Sequence, residues 1–185
     1  MIDRMSRLLV LLTAVPLLSG CGVKEKVNAV WEKVPFVHKQ HGPTGEKYSP
    51  TMKVQLLFKA DQAPADCKVF AHLFVWTPAG ASGQSIAQAV EHEAMSYGAD
   101  MILIGRSRQA NDDKGIEFVY YGPDQPYSCR DKWSGWTFGY EEWVNQGNWA
   151  SIGYEEWGKA EAQFSSPLVV QAAFLRCQPD ASEKK

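Results

Sequence analysis

From residue 52 onward, apolar positions fall into short runs divided by turn residues, with one interval of helical spacing. Residues 53–58 form a short apolar run that suits a strand. A turn over 61–66, containing Pro64, separates it from residues 67–77, which are rich in Val, Phe and Trp and stop at Pro78; these predict a second strand. After a loop with Gly80, Ser82 and Gly83, the residues Ile86, Ala89, Val90, Ala94 and Tyr97 share one face, which predicts a helix from Ser85 to about Tyr97. Gln88, Glu91 and Glu93 fall mostly elsewhere, and Gly98 is placed for a left-handed C-terminal cap. Residues 101–104 are continuously apolar and too short for a helix, so they read as a buried strand. A further strand over 116–121 follows the turn at 111–115, and the last, over 168–175, ends at Arg176-Cys177. The order ββαββ, an insertion, then β predicts an α+β domain of two layers, one main helix packed on a mostly antiparallel sheet. If the strands at 67–77 and 101–104 are sheet neighbours, the helix between them makes a right-handed crossover.

The insertion over 123–166 carries five of the seven tryptophans: Trp133, Trp136, Trp143, Trp149 and Trp157. It also repeats a pentapeptide, Gly139-Tyr140-Glu141-Glu142-Trp143 and Gly153-Tyr154-Glu155-Glu156-Trp157, which suggests two similar turns or short helical starts facing one another. Two copies this short do not make a solenoid.

Upstream, the pattern is of another kind. Arg4 and Arg7 lie in a short charged start, residues 8–18 are an apolar stretch interrupted only by Thr13 and Pro16, and small residues lead to Cys21. Charged, apolar, then small is the order of an export signal. The stretch falls short of the roughly 20 apolar residues of a spanning helix. Leu18-Ser19-Gly20-Cys21 is similar to the lipobox of bacterial lipoproteins, whose cysteine is diacylated on its thiol and, after cleavage, acylated on its amine. Residues 1–20 are thus expected to be a removed signal, with Cys21 the lipidated first residue. Residues 22–34 place Val23, Val27, Val30, Trp31 and Val34 at helical spacing before Pro35, either as a helix lying on a bilayer or as a linker helix. Residues 38–51, with His38, His41 and several Gly and Pro, read as a tether, so the folded domain is expected over 52–178 and a polar, disordered tail over 179–185.

The chain has 19 Lys and Arg against 21 Asp and Glu. Two of the bases and one of the acids lie in residues 1–20, so the remainder carries 17 against 20. That balance lacks the clustered basic surface of a nucleic-acid binder. No later segment is apolar enough to cross a membrane, which leaves the acyl chains as the expected membrane contact. Beyond Cys21 the cysteines are Cys67, Cys129 and Cys177, an odd number with no Cys-x-x-Cys. In an oxidising compartment two would pair and one would stay free or join a second chain.

Cys67-Lys68-Val69-Phe70-Ala71, the glycine loop, the helix end Tyr97-Gly98-Ala99-Asp100, the strand Met101-Ile102-Leu103-Ile104 and the closing Ala173-Phe174-Leu175-Arg176-Cys177 follow a lipobox in recognisable order. In this they resemble a family of short Gram-negative lipoproteins with a small ββαβ-type core, and more distantly the Rcs envelope-stress sensor lipoproteins. The match covers about half the chain and leaves out the aromatic insertion. It implies an outer-membrane lipoprotein on the periplasmic face, a sorting that Gly22 after the lipidated cysteine suits. It also implies a Cys67–Cys177 bridge; both residues flank strands, whereas Cys129 lies in a turn-like stretch with Pro123 and Pro126.

Catalytic and metal motifs are weak throughout. Glu91-His92-Glu93 lies on the helix, where successive residues point about 100° apart, and Ser96 stands where a zinc-protease motif needs its second histidine. His38 and His41 lie in the tether, and His72 lies inside a strand. Ser134 and Ser151 have no nucleophile-elbow pattern, and Gly80-x-x-Gly83 is no phosphate loop. No cofactor and no enzymatic activity are expected. The aromatic residues Trp133, Trp136, Tyr140, Trp143, Trp149, Tyr154 and Trp157 carry the functional expectation instead. They suit a protein-contact surface on an envelope partner. A glycan or peptidoglycan contact would use the same rings with Glu141, Glu142, Glu155 and Glu156, and packing in a second small core is the third reading.

Overall fold

A computed structural model describes residues 42–43, 45–131, 133, 136 and 143–177. The export segment, Cys21, the stretch 22–34, His38, His41 and the tail after 179 lie outside these residues. The described elements are β1 (Gln55–Leu57), a 3-10 turn (Ala60–Gln62), β2 (Lys68–Thr77), α1 (Gly83–Ser96), β3 (Met101–Gln109), β4 (Glu117–Gly122), β5 (Tyr127–Ser128), β6 (Trp149–Ala150) and β7 (Leu168–Arg176). The fold is α+β: one helix packs on a seven-stranded sheet ordered β1-β3-β7-β2-β4, with β5 on β2 and β6 on β3. Every pairing is antiparallel except β1 with β3. β2 and β3 are not neighbours, because β7 runs between them; the helix therefore links two strands separated by a third.

The helix begins two residues earlier than its apolar spacing suggests. Ser82 and Ser85 cap one another reciprocally: the Ser85 N–H donates to Ser82 Oγ at 3.1 Å and the Ser82 N–H to Ser85 Oγ at 3.0 Å. This satisfies two otherwise unpaired backbone donors and admits Gly83 to the first turn. At the other end Gly98 takes φ +79°, as a C-terminal cap requires. Its lack of a Cβ also lets Tyr48 and Ser49 run across the helix terminus, within 2.6 Å of where that atom would sit. Tyr48 packs edge-on to Phe70 at 5.0 Å, and Thr51 donates to the carbonyls of Met95 and Ala99. The last residues of the expected tether are thus part of the folded domain.

The sheet is covered on both faces, and this sets the composition of its central strands. Phe70, Tyr120 and Phe174 lie on the α1 side, linked by ring contacts to one another and to Tyr97. Their alternating neighbours Val69, Phe74, Trp76, Val169, Ala173 and Leu175 lie on the other side, against Trp133, Trp136 and Trp143. With both faces covered, β2 and β7 are buried along nearly their whole lengths and show no period-2 alternation. The Cys67–Cys177 disulfide joins the start of β2 to the end of β7. Beside it, the Asp100 carboxylate accepts the Cys177 N–H at 2.8 Å and pairs with Arg176 at 3.4 Å.

Candidate functional site

The aromatic residues of the insertion divide into packed and exposed sets. Trp143 is 9% exposed and stacks on Phe74 at 5.4 Å and 12°. Trp157 is 8% exposed, donates its Nε1–H to Glu91 at 3.2 Å and meets the edge of Phe58. Trp133 and Trp136 are half-buried; they pack edge to face at 5.7 Å, with Trp136 against His72 and Trp133 against Tyr127. Trp133, Trp136 and Trp143 pack on the second face, whereas Trp157 packs against α1 and Phe58. Trp149, 58% exposed, and Tyr154, 83% exposed, present their rings to solvent. Tyr140, Glu141 and Glu142 lie outside the described residues.

The polar candidates disperse as well. In Glu91-His92-Glu93, Glu91 accepts from Trp157, His92 is exposed, and Glu93 is buried against the Tyr120 hydroxyl at 2.9 Å. The expectation that Glu93 lies off the buried face is thus corrected: the hydroxyl on β4 gives its carboxylate a partner inside. Glu156 accepts the Gly153 N–H at 2.8 Å and closes its own turn, while Glu155 is exposed. Buried His72 meets the Tyr127 hydroxyl through Nε2 at 2.8 Å. Burial pushes the hydroxyls of Tyr120, Tyr121 and Tyr127 above their ordinary pKa, and for Tyr120 the neighbouring Glu93 carboxylate adds to it. Among the described residues no group of three or more His, Cys, Asp or Glu could hold a metal ion.

Chemistry available to a ligand concentrates on the outer edge of β3. β1 pairs with Met101–Leu103 and β6 with Ser107–Arg108 along this edge. Between them β3 bulges: Ile104 faces Ala172 and Ser107 faces Val170 on β7, so one residue is extra. Gly105 belongs to the bulge, where a Cβ would stand 2.8 Å from the Trp136 ring and 3.2 Å from the Gln171 carbonyl. Over it opens a shallow cleft of about 480 Å³, lined by Gly105, Arg106, Ser107, Trp149, Ala150 and Ser151.

Trp149 is the centre of that cleft. Arg108 anchors it from below: its Nε donates to the Gly147 carbonyl and its NH1 to the Trp143 carbonyl, both at 2.9 Å. The same guanidinium lies 4.9 Å from the Trp149 ring centroid, a cation–π contact. Arg106 lies 5.6 Å from the ring, exposed, and among the described residues its guanidinium has no hydrogen-bond or ion-pair partner. Trp143 braces the ring edge at 5.8 Å. The result is a rigid aromatic face with one fixed and one available cation. Arg106 and Arg108 are absent from the sequence expectations; their one signal is Gly105-Arg106-Ser107-Arg108, a charged run continuing a buried strand without a turn.

No protein-family model, curated protein or solved structure matches the chain.

Proposed function

We propose that this chain is a lipid-anchored envelope protein, held at the outer membrane and facing the periplasm, that works as a non-enzymatic adaptor or sensor. The Leu18-Ser19-Gly20-Cys21 sequence supports the anchor. Its order of motifs supports kinship with short Gram-negative lipoproteins and, more distantly, with the Rcs stress sensors. Among the described residues no helix is long and apolar enough to cross a membrane.

The observation that carries the adaptor reading is the exposed Trp149 ring, immobilised by Arg108 and flanked by Arg106 at the bulged edge of β3. Trp and Arg dominate binding hot spots, and a ring already held in place loses little side-chain freedom on docking. The contact surface is then the cleft and its rim, with Tyr154 as a separate exposed ring, not the whole aromatic insertion. The exposed Arg106 guanidinium favours an acidic protein segment as occupant.

Membrane fractionation of cells making wild-type protein or Cys21→Ser tests the anchor: loss of membrane association in the variant alone supports it. Retention of the soluble domain on purified peptidoglycan, abolished by Trp149→Ala, would favour the glycan reading over the adaptor.

A further inference from the structure

Three cysteines form a row across the sheet. Lys68 on β2 faces Ser128 on β5 and Arg176 on β7, so the register puts its neighbour Cys67 between Cys129 and Cys177. The Cα atoms of bridged Cys67 and Cys177 are 4.0 Å apart. On the other side, the Cys129 N–H donates to the Cys67 carbonyl at 2.9 Å, and Cys129 packs against the apolar cluster that contains Cys67. The Cys67 N–H donates to the Pro64 carbonyl at 3.1 Å, so its carbonyl is the backbone group it turns to Cys129. The Cys129–Cys67 hydrogen bond holds the two Cα atoms no more than about 6.8 Å apart, the upper end of the roughly 4.4–6.8 Å separation that a disulfide accepts.

We infer that Cys129 is an exchange thiol, able to move the bridge from Cys67–Cys177 to Cys67–Cys129. The Cys129 sulfur, as thiolate, attacks the Cys67 sulfur; a Cys129–Cys67 bond forms as the Cys67–Cys177 bond breaks. Cys177 leaves as thiolate and takes up the proton that Cys129 gave up, so no oxidant or reductant is consumed. Displacement at sulfur needs attacker, centre and leaving group in line, which requires Cys67 between the other two cysteines, where the flanking register puts it.

Exchange is slow at neutral pH, because burial and the Asp66 carboxylate push the Cys129 thiol up to about 11. Tyr127 on β5 also lies beside that thiol, while Asp100 and Arg176 flank Cys177. Once released, the end of β7 is no longer fixed covalently to β2. Cys177 then opens on a groove of about 610 Å³, shared with Val54, Asp100 and Arg176. The exchanged state differs from the native one at a surface remote in sequence from Trp149, so this inference stands independently of the adaptor reading.

Peptide mapping tests it directly. Trypsin, cutting after Lys59, Lys68, Lys114, Arg130, Arg176 and Lys184, puts the three cysteines on three separate peptides. The oxidised full-length protein is held with iodoacetamide at pH 7 and at pH 9, then digested without reduction. The expected product is the Cys67–Cys129 peptide pair with alkylated Cys177, formed about tenfold faster per pH unit as the thiolate fraction rises. Cys129→Ser should abolish Cys177 alkylation, and Cys177→Ser should oxidise in air to a Cys67–Cys129 bridge. Alkylation confined to Cys129 at both pH values, persistent Cys177 alkylation in Cys129→Ser, or two reduced thiols in folded Cys177→Ser would each overturn it.

Discussion

The hydroxyl of Tyr120 donates to the carboxylate of Glu93 at 2.9 Å across the interface between α1 and the sheet. The acid is 9% exposed, so this bond lies where water cannot readily replace it. Tyr120→Phe keeps the ring and removes only the donor. Loss of a hydrogen bond to a charged group costs about 1.5–3 kcal/mol, and urea unfolding should show it as a lower midpoint with an unchanged slope.

Trp143 and Trp149 touch one another yet should respond unequally. Trp143 stacks on Phe74 in the second-face core, so Trp143→Ala should destabilise by about 3–5 kcal/mol. Trp149 stands mostly in solvent, and Trp149→Ala should cost only about 1 kcal/mol, from its lost cation–π contacts. Thermal melts of the two variants check the contrast; equal losses would make Trp149 a core residue and remove it from any contact surface.

A methyl group at residue 105 has nowhere to go. With the Trp136 ring 2.8 Å and the Gln171 carbonyl 3.2 Å from the added carbon, Gly105→Ala forces the bulge or the ring to shift. A cost of about 1–3 kcal/mol is expected, with a change in tryptophan emission as Trp136 moves.

Alkaline pH should unfold the domain cooperatively. Tyr120, Tyr121 and Tyr127 all have folded pKa values raised by burial. For a raised pKa, the native state holds its proton more tightly than the unfolded chain. The stability contributed is therefore complete below the ordinary tyrosine pKa of about 10 and lost as pH climbs from there towards the folded values. Tyrosinate absorbance should rise together with loss of near-ultraviolet circular dichroism. Normal titration of these tyrosines in a still-folded protein would contradict their burial.

The helix was legible because Ile86, Val90 and Ala94 repeat at helical spacing and Gly98 closes it, and two buried strands because their apolar runs stop at Pro78 and Cys177. Glu93 was misread since its partner, Tyr120, lies 27 residues away on another element. Nothing local separates Trp143 from Trp149: both are tryptophans in polar surroundings, and only tertiary packing, Phe74 under the one and the β3–β6 pairing of the other, buries the first and exposes the second. Arg106 and Arg108 were hidden for a similar reason. Polar residues after Ile104 suggest a strand ending, whereas the bulge at Gly105 carries the strand on to Gln109 and turns its edge into the cleft.

The decisive experiment compares capture of envelope proteins from membranes, after gentle crosslinking, by the intact lipoprotein and by a Trp149→Ala/Arg106→Ala variant that still melts cooperatively. The expected result is one acidic partner crosslinked to the wild type, lost from the variant and displaced by a soluble acidic peptide taken from that partner. Identical capture by both forms would contradict the assignment of the contact surface to the Trp149 cleft.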